Sequence, residues 1–380
     1  MKFSILQAKL KQALNAIEKI ALKTPSLPIL SNVLLEAEEN CLKLSATNLE
    51  TGINFWLRAK VEKQGKIAIP AHVFSSFINF LPPVPINFEE KQGHLHIQCG
   101  KANTKINSVN VEDFPIIPQV EKSSKVSIKS FPLYQGLSQI VNIASLSNIK
   151  PEISGIFWNF EKKHLTMTAT DSFRLGEKKI ELEEVDSNLP SSSFILLRQS
   201  ASLLTSIFGE KDTNLDIYIS PNLVMFESLT QDEEYPKVQF VSKLIEGDYP
   251  QYQEIIPSSF KTEVIIDKKE FLLQLKRASI FASRINEVNI ILEPQKGEIS
   301  ILCQNPELGE YSSSFSGDIN GEKCDISFNY KFLLDGLLNI NGEKIFFGIS
   351  KSKEQEQGPA LLRAIKDKTY LYVVMPIQPA

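Results

Sequence analysis

Residues 164–173 read HLTMTATDSF. Leu165, Met167 and Ala169 alternate with Thr166, Thr168 and Thr170, a period of two that predicts a strand with one buried face. The pattern recurs twice. CLKLSATNLE at 41–50 sets Leu42, Leu44 and Ala46 against Lys43, Ser45 and Thr47, and EISILCQNPE at 298–307 keeps Ile299, Ile301 and Cys303 in one phase. A short turn before each lies another strand: NVLLEAEEN (Val33, Leu35, Ala37), GIFWNFEKK (Ile156, Trp158, Phe160) and VNIILEPQKG (Val288, Ile290, Leu292). Each pair reads as a hairpin, turning at Glu-Asn, Lys-Lys or Gln-Lys-Gly.

Helical spacing precedes each hairpin: Leu6, Leu10, Leu14, Ile17 and Ala21; Leu133, Leu137, Val141 and Ala144; Phe271, Leu275, Ser279 and Ala282. A strand–helix unit follows each one: IAIPAHVFSSFINFL, SFILLRQSASLLTSIF and ISFNYKFLLDGLLNI. Internal repetition of this kind predicts three α+β domains, each with two helices backed by antiparallel sheet, at 1–122, 123–256 and 257–380. The joints carry prolines, in DFPIIPQVEKSSK (113–125) and GDYPQYQEIIPSSF (247–260). Proline interrupts ladders and restricts its predecessor, so both read as extended linkers.

Composition sets limits. The 380 residues are 42% hydrophobic and 23% charged with a net charge of -4, a globular balance without the basic excess of a protein that holds nucleic acid by bulk attraction. MKFSILQAKLKQAL lacks the apolar core and cleavage site of a secretion signal, and no apolar run approaches the ~20 residues of a membrane span. Cys41, Cys99, Cys303 and Cys324 stand far apart, which argues against a redox or metal motif and for a reducing cytoplasm. His94 and His96 share a strand face but lack a third ligand. Asp171 with His164 suggests hydrolysis, yet Thr170–Asp171 aligns with Thr47–Asn48, which makes the acid a turn former. GxxxxGK[ST], HExxH and GxSxG are missing from the sequence. The expectation is a protein without catalytic residues, metal or cofactor.

Four stretches in order, SLPILSNVLLEA, ATDSFRLG, GDYPQYQEIIP and YVVMP, resemble the bacterial β sliding clamps, the DNA polymerase III β subunits, over essentially the whole chain. The resemblance implies a head-to-tail homodimeric ring of six domains, with twelve helices lining a hole and sheet on the outside. It implies encirclement of duplex DNA regardless of sequence, and partnership with the replicative polymerase, the clamp loader and other proteins bearing clamp-binding motifs. A ring holds DNA by topology, which fits the acidic balance, and needs only a mildly basic lining. Lys9, Lys11, Lys19 and Lys23 on the first helix, Arg198 on the fourth, and Lys268, Lys269, Lys276, Arg277 and Arg284 around the fifth supply one. Of these, Lys23, Arg198, Lys276 and Arg277 are expected to face DNA.

The likeness also accounts for the apolar run Val373–Met375 at the end of the sequence. It implies a pocket between the second and third domains that takes apolar anchors of partner peptides. Its expected residues are Ile153, Thr170, Ser172, Phe173, Arg174, Leu175, Pro250, Tyr252, Ile255, Phe332, Val373, Val374, Met375, Pro376 and Ile377. Methionine suits a site that repacks around different partners. Two positions depart from the family: Glu254 stands where a basic residue is frequent, and Gln378, Pro379 and Ala380 follow Ile377 where arginine is common. Ile106, Ile280 and Phe281 are the expected dimer contacts. The alternative is a clamp-fold paralogue that binds peptides or a small molecule without being the main replication clamp.

Overall fold

The structure, a computed structural model, describes residues 1–21, 27–122, 125–147, 149–185, 193–209, 212–228, 237–351 and 358–378. Among them one succession occurs three times: a strand, a helix, five strands, a second helix and three strands. The helices are α1 (Gln7–Ile20), α2 (Ala71–Phe80), α3 (Ser130–Ile140), α4 (Arg198–Phe208), α5 (Lys268–Ala278) and α6 (Tyr330–Asn339). The three hairpins form as their alternation predicts, and the apolar phase is buried in each: Leu35 on Leu44, Trp158 on Met167, Ile290 on Ile301.

Helix ends differ from the periodic reading. Leu6 closes the strand Lys2–Leu6 and is 46% exposed, while α1 buries Leu10, Ala13, Leu14, Ile17 and Ile20. Val141 and Ala144 lie beyond α3, and Ser279 opens a 3-10 turn, Ser279–Phe281, after α5. The Ser279 hydroxyl donates to the Lys276 carbonyl at 2.8 Å, a local bond that competes with helix continuation. Where a cap side chain was available the start is sharp: Asp267 accepts the Glu270 amide and Asn329 the Lys331 amide.

The chain falls into two compact units, Met1–Gln135 with Glu181–Ile245, and Gly136–Ile180 with Glu246–Ala380. In the first, one sheet orders Lys60–Lys63, Lys2–Leu6, Pro85–Lys91, His94–Cys99 and Ala102–Asn107. Another runs from Gly65–Pro70 through Asn32–Glu38, Cys41–Thr47 and Thr51–Arg58 into Val238–Ile245, then Leu223–Ser228, Asn214–Ile219 and Val126–Lys129, all antiparallel. In the second unit, Gly309–Ser316, Glu298–Asn305, Glu287–Glu293 and Cys324–Asn329 make a four-stranded sheet. A further ladder joins Asp318–Gly321, Phe260–Asp267, Lys344–Ser350, Ala360–Ala364, Tyr370–Val374 and the strand Arg174–Glu181.

Neither joint is a free linker. Val120 packs with Tyr218, Met225 and Val241, and Lys122 reaches the buried Glu227 carboxylate at 2.8 Å. Past Pro250 the chain turns into a 3-10 segment, Tyr252–Ile255, whose Tyr252 ring is 3% exposed. Apolar and aromatic residues inside these proline-marked stretches find neighbours far along the chain, and burial outweighs the extended preference of the backbone.

Gly336 on α6 makes a close approach possible: a Cβ there would stand 2.5 Å from the buried Tyr372 ring. That ring is fixed, because its hydroxyl donates to the Phe332 carbonyl at 2.9 Å. Gly336→Ala gains about 1 kcal/mol of helix propensity but forces an overpacked contact costing ~1–3 kcal/mol. The clash should win, so a lower thermal midpoint than wild type is expected in a calorimetric scan; an unchanged or higher one would show that the ring can move.

Candidate peptide-binding site

One turn recurs in all three repeats. Asn48 Oδ1 accepts the Glu50 and Thr51 amides, Asp171 Oδ1 accepts the Phe173 and Arg174 amides, and Asn305 Oδ1 accepts the Glu307 and Leu308 amides. In the first two, the preceding threonine hydroxyl donates to the carbonyl four residues on, and Leu49 and Ser172 adopt positive φ. Asp171 is therefore the turn former that its alignment suggested. Its second oxygen has an added task, accepting Arg174 Nε at 2.9 Å.

Arg174 is held on every edge. Nη1 donates to Asp335 on α6, Nη2 to the Asn142 carbonyl at 3.1 Å, and the guanidinium lies 4.7 Å over the Phe332 ring. Burial works against its charge, but Tyr372, Asp335 and Asp171 outweigh it and raise its pKa, so it stays a cation. Burial likewise raises the Tyr372 pKa, and the phenol remains a neutral donor.

The strand Tyr370–Val374 sits between Ala360–Ala364 and the Arg174–Glu181 strand, with Arg174 opposite Val374 and Leu175 opposite Val373. Beyond it the Met375 amide donates to the Phe173 carbonyl and the Ile377 amide to the Ser327 carbonyl, each at 2.8 Å. Leu175, Tyr252, Leu361 and Val373 form a buried cluster, and the Tyr252 hydroxyl donates to Glu177 at 2.9 Å.

The fifteen expected residues thus divide. Ile153, Thr170, Leu175, Tyr252, Val373, Val374 and Pro376 are buried and make a floor. Ser172, Pro250, Phe173 (61% exposed) and Ile255 (45%) are open to solvent, and Arg174, Phe332, Met375 and Ile377 are partly covered. Phe173 and Phe332 stack at 6.3 Å, so the Asp171 turn and α6 share one apolar lip. Such a surface can take large apolar side chains out of water and orient them with a few polar groups. Asp335 escaped the sequence reading, since nothing local marks a contact across 161 positions.

Of the residues expected to face DNA, Lys276 and Arg277 are exposed in the last turn of α5 and Arg198 opens α4, half-buried; Lys23 lies outside the described residues. Of the expected dimer contacts, Ile280 is 67% exposed and Phe281 is partly covered, stacked on Tyr311. Ile106 is only 7% exposed, because its side chain points into its own domain from the edge strand Ala102–Asn107. Phe80, at the end of α2, is 90% exposed, an aromatic off the buried phase of Phe74 and Ile78 that the sequence reading did not single out.

Three repeats of one strand-and-helix unit, with an apolar lip built from Phe173 of the second repeat and Phe332 of the third, define a clamp-type repeat protein. Residues 1–118, 128–251 and 253–378 match the N-terminal, central and C-terminal domains of the DNA polymerase III beta subunit. The chain is 28% identical to the beta sliding clamp of Bacillus subtilis and 27% to the beta sliding clamp homolog GriR of Streptomyces muensis, covering 99–100% of each. The crystal structure of the Bacillus subtilis DNA polymerase sliding clamp superposes over both full chains with a TM-score of 0.91 at 27% identity. The chain belongs to the DNA polymerase III beta subunit family. Its function is that of a replication sliding clamp.

Proposed function

We propose that the chain works as a non-catalytic, cytoplasmic, head-to-tail dimeric ring around duplex DNA. In this reading it tethers the polymerase, the clamp loader and other partners by short peptides seated on the Phe173–Phe332–Met375 lip. Its domains divide at 1–122, 123–256 and 257–380. The observation that carries the partner site is the seam itself. Strand Tyr370–Val374 is zipped to Arg174–Lys178, which brings Met375 and Phe173 together around one backbone hydrogen bond.

Closure of the ring falls to the strands Ala102–Asn107 and Gly309–Ser316, each at the edge of its sheet and so open to pairing with another chain. Ile280, Phe281 and Phe80 supply apolar surface. Lys276, Arg277, Arg198 and Lys23 attract phosphates weakly and without sequence preference. Among the described residues no helix is long and apolar enough to cross a membrane, and no cluster of three or more His, Cys, Asp or Glu could hold a metal.

Encirclement has a topological test. Loaded onto a singly nicked plasmid by a bacterial clamp loader, the protein should co-elute with the circle in gel filtration and leave once a restriction enzyme linearises it. Equal retention on both forms would mean attachment by attraction and would overturn the ring.

A further inference from the structure

We propose that the partner segments this lip accepts carry a lysine or arginine beside their apolar anchors. The proposal rests on the lip being the partner site, and it concerns the charge around it. Arg174 is set into the lip, and it is not available to a ligand's carboxylate: its side chain is 11% exposed and its three edges are held by Asp171, Asp335 and the Asn142 carbonyl. Two carboxylates on one guanidinium leave a net negative charge, and the Asp335 side chain is still 48% exposed.

The segments that supply the expected pocket residues add to the imbalance. The joint, residues 246–256, carries Glu246, Asp248 and Glu254, all exposed, and no base. The closing strand and its tail, residues 370–378, carry no charge at all. Lys331, on the first turn of α6, is the other cation, with its ammonium 6.0 Å from the ring of its own neighbour Tyr330. Segments 171–175, 246–256, 330–335 and 370–378 together hold five carboxylates against two cations. The segments that form the lip and its floor are therefore net negative, and complementary charge on the ligand selects among partner segments with equal apolar anchors.

Two labelled peptides test this in fluorescence polarisation with the full chain. Both share a Leu-Xaa-Leu-Phe anchor; one is flanked by two lysines and the other by two glutamates. The lysine peptide should bind roughly three- to tenfold tighter at low salt, a range set by solvent-exposed pairs, and the gap should close at about 0.5 M salt. Glu254→Lys, an exposed change, should shrink the gap, and Asp335→Asn should do the same. Equal binding of the two peptides, or a preference for the glutamate peptide, overturns the inference while leaving the partner site standing. Failure of both peptides to bind the folded wild-type chain overturns the partner site and the inference with it.

Discussion

Met375→Ala is expected to lower the affinity for a peptide with leucine and phenylalanine anchors by about ten- to a hundredfold, while the fold survives. The residue is partly covered and stands just past the last strand, and its amide is fixed on the Phe173 carbonyl. Alanine keeps that backbone bond, so the side chain is lost without loosening the seam. A thioether that covers some 80 Å² of a buried anchor is worth ~2 kcal/mol at 25 cal/mol per Å², or roughly thirtyfold in affinity. Because the floor beneath, Val373, Val374 and Leu175, is already buried by the chain itself, thermal stability should fall only slightly. Polarisation titrations beside a melting curve read both quantities. Unchanged affinity in a fully folded variant would place the partner site elsewhere.

Ile280→Asp should convert the dimer to monomer in the micromolar range, a weakening on the order of a hundredfold, as expected when a charge is placed in the apolar centre of an interface. Ile280 lies in the turn after α5 and is two-thirds exposed, so the substitution leaves the domain core untouched. Phe80→Asp, at a residue still more exposed, should act in the same direction. Sedimentation velocity across a dilution series distinguishes the species. A dimer that persists in both variants at nanomolar concentration would show that the ring closes through other surfaces.

What the sequence made legible was local or repeated. The hairpins were readable because burial on one face imposes a period of two, and the Thr-Asn and Thr-Asp pairs could be compared across copies to reveal one turn. The likeness to sliding clamps then named pocket residues from five separate stretches, all of which fall in the second compact unit. Long-range partners escaped. Tyr252 sat between prolines in a stretch that looked extended, and only the Glu177 carboxylate and the Leu175–Val373 cluster, far away in sequence, draw it inside. The Arg174–Asp335 pair has the same character. Ile106 was named as a dimer contact through the resemblance alone, and which face of its strand is covered depends on the sheet it joins.

The seam between Arg174–Lys178 and Tyr370–Val374 also sets an order in time. During synthesis the first of these strands leaves the ribosome long before the second exists. Met375, a member of the lip, is made later still. A nascent chain made only as far as Ala364 therefore holds Phe173 and Phe332 without the strand Tyr370–Val374 and the Met375 amide that meets the Phe173 carbonyl. On the proposed reading, a chain cut before Tyr370 should therefore bind no partner peptide, however well its earlier repeats fold.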